Sequence, residues 1–266
     1  MPRRALALTV CSALVSCLLA APAGASLIAY EGFDYTAGAS LNGLNGGSGW
    51  SNAWSAGNPL AFIATPGLDF SGLGTTGGAA TATAKPNPPS GSDITFESRT
   101  LSSAVGADGT TLYLSVLLRP ESGFGFYGGI NLGGLFLGKS GTTNTYGLEN
   151  SAVTASSSVV ANVGETTLLL LRAQFLAGND VLDLFVNPVA GAPLPLVADA
   201  TLPLFDLGLA DAISVNNAGA WTADEIRLGT TIEDVLPAAV PEPASMSLLM
   251  SGLAAAALAR RRRARE

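Results

Sequence analysis

The 266-residue sequence predicts an all-β fold, an antiparallel β-sandwich. Three observations point there. Short apolar runs alternate with polar residues at a period of two, the signature of strands with one buried face. Turn-forming clusters of Gly, Asn, Asp and Pro separate those runs at short intervals. Charge is sparse at 12% while glycine is abundant at 32 residues, so Ser, Thr, Asn and Gly must cover the surface.

Taken in chain order, the strand candidates are residues 27–30, 61–64, 79–84, 94–100, 111–119, 124–130, 134–138, 146–148, 167–175, 181–186, 213–215 and 226–232. In 111–119, Leu112, Leu114, Val116 and Leu118 fall on one side, with Tyr113, Ser115, Leu117 and Arg119 on the other. Residues 167–175 are almost continuously apolar, which suits a strand buried on both faces. In 181–186, Leu182, Leu184 and Val186 face the core opposite Asp183. Turn signals stand at Gly46-Gly47, Asn87-Pro88-Pro89, Ala177-Gly178-Asn179-Asp180 and Asn216-Asn217. Many short strands so spaced predict a sandwich over 26–235.

The two ends read differently from the middle. Arg3 and Arg4 precede an apolar run over 5–21, and Ala23 and Ala25 stand at the −3 and −1 positions for signal peptidase, so 1–25 reads as a signal peptide helix cut before Ser26. A loose lipobox at Leu14-Val15-Ser16-Cys17 is the rival, but the apolar run continues past Cys17 to Ala21. At the other end, a linker over 236–243 holds Pro241, Glu242 and Pro243. An uncharged apolar segment over 244–259 follows it, and the chain closes with an Arg-rich tail over 260–266. As a helix the apolar segment would span about 24 Å, short of a ~30 Å hydrocarbon core but workable with bilayer thinning. Arg260, Arg261, Arg262 and Arg263 act as the membrane stop signal and stay in the cytoplasm, leaving the domain on the other side. The two prolines keep the linker extended and out of the helix that follows.

Composition excludes several kinds of function. Between Ser26 and Val240 there are 6 basic and 18 acidic residues, a net charge of −12. Such a domain is repelled by phosphate backbones, so no nucleic-acid partner is expected. Both cysteines, Cys11 and Cys17, lie in the leader, and the chain has no histidine. Thiolate sites, His-based zinc sites and a Ser-His-Asp triad are therefore excluded, and only carboxylate chemistry remains open to an enzyme.

The order Pro241-Glu242-Pro243, apolar helix, terminal arginine cluster resembles the PEP-CTERM sorting signal of Gram-negative bacteria. That resemblance implies processing by the membrane-embedded protease exosortase, an inner-membrane intermediate, and a product at the cell surface or released, of a kind associated with extracellular polysaccharide and biofilm. In the middle, Glu31-Gly32-Phe33-Asp34-Tyr35, Gly46-Gly47-Ser48-Gly49-Trp50 with Trp54, Gly178-Asn179-Asp180, and the run from Asp224 to Thr230 resemble concanavalin-like jelly rolls of the lectin and glucanase type. In that fold the first and last strands pair, which would bring Tyr30 beside Ile226. Laminarinase-like hydrolases of this fold use a Glu-x-Asp-x-Glu strand, which is lacking here. The pairs Asp180 with Asp183, Asp224 with Glu225 and Glu233 with Asp234 have the wrong spacing for two carboxyls on one strand face. No catalytic residue, cofactor or metal is expected. For a lectin, Asn179, Asp180, Asp183 and Asn187 are the oxygen donors a calcium ion would use, and Trp50, Trp54, Trp221 and Tyr127 the candidate sugar platform. The turn and the core are the competing assignments for those residues. The leading expectation is a non-catalytic surface or extracellular-matrix protein. The alternative is a carbohydrate-binding module, and a glycoside hydrolase comes last.

Overall fold

The computed structural model describes residues 27–56, 58–82, 95–217 and 219–237. The signal helix, the linker residues 238–243, the apolar segment and the arginine tail lie outside the described residues. So does the Asn87-Pro88-Pro89 turn. Among the described residues fifteen strands and one short helix form in order. They are β1 (Leu27–Glu31), β2 (Ser55–Ala56), β3 (Phe62–Ala64), β4 (Ala79–Thr81), β5 (Thr95–Val105), β6 (Thr111–Pro120), β7 (Gly128–Leu132), β8 (Leu135–Lys139), β9 (Thr145–Glu149), β10 (Thr154–Val160), β11 (Thr167–Gln174), β12 (Val181–Val186), β13 (Ala200–Leu202), β14 (Ala210–Asn217), β15 (Trp221–Gly229) and α1 (Ile232–Val235).

These strands build two antiparallel sheets packed as a sandwich. The first runs β13-β12-β11-β6-β15-β4-β3, with β1 also on β15; the second runs β10-β9-β8-β7-β14-β5-β2. The first and last strands pair as the jelly-roll resemblance implies, with Tyr30 opposite Arg227 and Glu31 opposite Ile226. Leu112, Leu114, Val116 and Leu118 all enter the main core, as their alternation predicts. The apolar run in β11 has the expected double burial. Leu169 and Leu171 face the inter-sheet core, while Leu168 and Leu170 join a second cluster with Leu68, Leu117, Phe185, Val235 and Leu236 on the outer side of the first sheet. Loops and α1 therefore cover that outer side. The second sheet has no comparable cluster among the described residues.

The structure departs from the sequence reading at several elements. Residues 226–232 were expected as one strand, but β15 starts five residues earlier at Trp221 and stops at Gly229. The chain then turns into α1, where Thr231 caps the helix and Asp234 answers with a reciprocal bond, a capping box. Asn216 and Asn217 were expected as a turn and instead end β14, because the Asn217 side chain bonds the Trp221 carbonyl and the Gly219 amide and so makes the turn one step later. The expected strand at 124–130 is shifted to β7. Three short or polar strands, β2, β10 and β13, carry too few apolar residues to have been seen in the sequence.

One irregularity places buried carboxylates. β15 bulges against β6 between Asp224 and Arg227, and Glu225 takes a positive φ of 52° there. The bulge divides β15's other edge, which pairs with β4 at Thr222 and Ala223 and with β1 from Ile226 onward. A bulge re-aims the side chains it carries. Here it turns Asp224 and Glu225 toward the loop between β3 and β4.

Candidate functional site

Two groupings of polar side chains among the described residues bear on function. The first lies where β1 meets β15 and β5. Glu31 and Arg99, each 1% exposed, form an ion pair of 2.6 Å that links the first sheet to the second. The Glu31 carboxylate also accepts from Trp54 Nε1, Tyr35 OH and the Phe33 amide. Arg99 donates its remaining hydrogens to the Gly46 and Asn52 carbonyls and to Asn45 Oδ1. Its guanidinium also lies over the Trp50 and Trp54 rings. Glu225 is bound as fully, accepting from Arg227, Tyr30 OH and the Thr76 amide. Asp224 accepts from the Leu68 and Glu225 amides, yet burial pushes its carboxyl up to about 8, helped by the nearby charges of Glu225 and Glu31. The Tyr30 and Tyr35 hydroxyls are pushed up to about 12, in both cases chiefly by burial. These groups hold the fold together.

The second setting is the outer face of the second sheet. Side chains alternate along each strand, so Ile130, Leu137, Leu148 and Val215 point into the core and their neighbours point out. The registers align the outward positions into two rows. One row runs Phe96, Asn216, Gly129, Gly138, Gly147 and Ser156; the other runs Ser98, Ser214, Asn131, Phe136, Glu149 and Thr154. Three consecutive glycines in the first row leave a strip of sheet without side chains. The Phe136 ring leans over that strip, its Cζ lying 2.9 Å from where a Cβ on Gly129 or Gly138 would stand. A groove of about 310 Å³ opens there, lined by Phe96, Phe126, Tyr127, Phe136, the amides of Asn131, Asn150 and Asn216, Ser151 and Glu149.

Local bonds set the groove's electrostatics. Glu149 accepts from Tyr127 OH at 2.6 Å and from Thr154 Oγ1 at 2.9 Å. Burial, then the bond to Glu149, raises the Tyr127 hydroxyl's pKa and keeps its proton on that bond. Phe126, Tyr127 and Phe136 stack edge to face with centroids 5.2 and 5.3 Å apart, which fixes the ring orientations. Phe96 is 50% exposed, and the Asn216 side chain, on a residue only 7% exposed, has a buried Oδ1 with no partner. Lys139 is not available to a ligand in this groove. It donates to the Gly125 and Phe126 carbonyls, and burial lowers its pKa. A second cavity of about 570 Å³ lies on the covered outer side of the first sheet beside Leu194 and Leu236. Arg172 and Glu233 are its charged lining residues, and Arg172 is tied to Asp183 and lies over the Phe185 ring.

The structure disperses the calcium candidates. Asn179 is exposed at a turn tip, and Asp180 accepts from the Leu176 and Leu207 amides. Asp183 binds Arg172 and Thr201, and Asn187 accepts from the Leu168 amide. Each of the latter three is engaged in holding a loop or strand, so no common centre forms. Among the described residues no three His, Cys, Asp or Glu side chains gather for a metal. Of the platform candidates only Tyr127 reaches the groove. Trp54 and Trp221 are core residues at 1% exposure, and half-buried Trp50 donates to the Tyr30 carbonyl. The acid pairs also have structural duties, Asp234 in the α1 cap and Asp224 with Glu225 in the bulge. Phe96, Phe136, Asn131, Asn216 and Glu149 were missed in the sequence. The available signal was glycine at nine-residue intervals, 129, 138 and 147, across three hairpin-linked strands.

Residues 239–263 match the PEP-CTERM protein-sorting motif. The tail is a PEP-CTERM sorting signal. The matched residues include Pro241, Glu242, Pro243 and Arg260 to Arg263. The motif implies export, processing by exosortase and sorting to the cell surface. No curated protein sequence matches the chain. Similar solved structures include an endo-β-1,4-glucuronan lyase from the fungus Trichoderma reesei, 10% identical, covering 74% of this chain and 96% of that one with a TM-score of 0.42. Another is an endo-1,3-β-glucanase from Streptomyces sioyaensis, 12% identical, covering 78% and 96% with a TM-score of 0.45. A third is the Emp46p carbohydrate recognition domain in its metal-free form, 11% identical, covering 67% and 88% with a TM-score of 0.33. Among the described residues no helix is long and apolar enough to cross a membrane.

Proposed function

We propose that this PEP-CTERM protein is a non-catalytic surface or matrix component that binds extracellular polysaccharide in the groove on the outer face of its second sheet. The observation that carries this reading is the groove's lining, four aromatic side chains around an unpartnered, nearly buried Asn216 amide. Pyranose rings present apolar C–H faces and a rim of hydroxyls. Rings of Phe and Tyr accept the former, while amides and a carboxylate accept the latter. An unpaired buried amide oxygen costs free energy, so a ligand donor that meets it through a turn of the Asn216 side chain at the groove wall is favoured. The groove's volume lies within the range of small-ligand sites.

The absence of catalysis is part of the proposal and rests on the single carboxylate in the lining. Glycoside hydrolysis needs two carboxyls flanking one bond. Glu149 is the one acid lining the groove, and both its oxygens already accept hydrogen bonds. The test uses the mature protein purified from cells, run in affinity gels containing soluble neutral glucans, chitin oligosaccharides or bacterial exopolysaccharide. Retardation by at least one of these, abolished in Asn216→Ala without a change in melting temperature, is expected. Unchanged mobility in every gel, or release of reducing ends from any polymer, would overturn the reading.

A further inference from the structure

Resting on that reading of the groove, we infer that its preferred ligands are amino-sugar polymers carrying free ammonium groups, and that Glu149 is the residue selecting them. The groove's charge has one sign. Glu149 is the single ionisable acid in the lining, and no Lys or Arg lines the groove with it. The nearby ammonium of Lys139 is turned away and consumed by two backbone carbonyls. A uronic-acid polymer would therefore bring carboxylates to a carboxylate inside a domain of net charge −12 between Ser26 and Val240, and like charges so placed are repelled.

The hydrogen-bond inventory points the same way. A carboxylate has about four lone-pair sites. Tyr127 and Thr154 fill two of those on Glu149 and hold it in place. Neither donor is charged, so the negative charge remains uncompensated among the described residues lining the groove. The buried Oδ1 of Asn216 also needs a donor. A ligand that supplies N–H donors, one of them cationic, satisfies both. A neutral glucan can donate hydroxyls to both but leaves the charge of Glu149 uncompensated. The rings of Phe96, Phe126, Tyr127 and Phe136 add a third preference, since aromatic faces attract ammonium groups as well as C–H faces.

The experiment compares one polymer in two chemical states. Affinity of the mature protein is measured for soluble partially deacetylated chitosan and for the same preparation after N-acetylation, with alginate as the anionic arm. The deacetylated form is expected to bind about tenfold more tightly than the acetylated form, as one charge-assisted hydrogen bond would give. Alginate is expected not to bind. In Glu149→Gln the preference should vanish while acetylated polymer still binds, since the glutamine carbonyl still accepts from Tyr127 and the Thr154 hydroxyl can turn to accept from the new amide N–H. Equal affinity for both forms in wild type overturns the inference and leaves polysaccharide binding standing. Retention of the full preference in Glu149→Gln also overturns it, because attraction would then come from the domain's overall charge. If neither form nor any neutral polymer binds, the groove reading itself falls. Phe96→Ala provides a second variant that does not touch the Glu149 bonds, and it should weaken both polymer forms alike.

Discussion

Two regions of this molecule use the same residue types to opposite ends. At the β1 edge, Glu31 sits among Tyr35, Trp54 and Arg99; on the open face, Glu149 sits among Tyr127, Phe136 and Phe126. The Glu31 carboxylate has a cation and three further donors, and its ion pair is 1% exposed on both sides. Glu149 has two neutral donors and an open groove in front of it. The difference teaches that residue type alone does not mark a site. What marks it is unfinished pairing, a polar group that the protein positions and leaves for something else to satisfy.

Breaking the finished side should have the largest effect. Arg99→Ala removes the counter-charge from buried Glu31 and strips the Gly46, Asn45 and Asn52 bonds that fasten the loop after β1. Removing one partner of a buried ion pair costs about 3–5 kcal/mol. The variant is expected to lose about that much stability in urea unfolding, or to fail to fold. A loss below about 1 kcal/mol would mean that the pair contributes little. The corresponding loss of Glu149's charge should barely register in the same assay.

A smaller effect separates Asp224 from its neighbours. Burial pushes its carboxyl up to about 8 in the folded protein, from an ordinary aspartate value of 3.8. The folded state therefore holds a proton that the unfolded chain releases, so this contribution to stability is complete below the lower value and lost as pH rises through the upper. With no histidine in the chain, few other groups titrate between. Thermal melts should fall steadily from about pH 5 to about pH 8. Asp224→Asn should flatten that slope, and a wild-type melting temperature that rises across this interval would refute the assignment.

The sequence made the framework legible and the groove largely illegible, for a physical reason. Alternation in β6 and the continuous apolar run in β11 report burial directly, because each residue's polarity matches its own face. That the segment around Tyr30 lies close to that around Ile226 followed from the resemblance, and the register sets Tyr30 opposite Arg227 and Glu31 opposite Ile226. The groove depends on which residues of five strands fall side by side, such as Phe96 beside Asn216 and Asn131 beside Phe136. Registers across hairpins are set by turns and bulges that leave weak traces in one sequence. Tryptophan was the attractive platform residue for the same reason that it fills cores. It is large and apolar, and Trp54 and Trp221 were taken by the interior.

The smallest effect on stability should accompany a large effect on binding, which sharpens the comparison most. Phe96 stands on β5 beside the buried Glu97, pairs across to Asn216 and is half exposed. Its ring contributes little to the interior, so Phe96→Ala should change unfolding free energy by no more than about 0.5 kcal/mol. If the groove holds a pyranose, removing that ring should still weaken polysaccharide binding by about tenfold, the equivalent of about 1.4 kcal/mol of lost contact. Affinity gels and urea unfolding on one preparation read both quantities. A variant that unfolds like the wild type and binds like it would place the sugar elsewhere. One that loses stability and binding together would mean that Phe96 belongs with the finished region, beside Glu31 and Arg99, rather than with the open one.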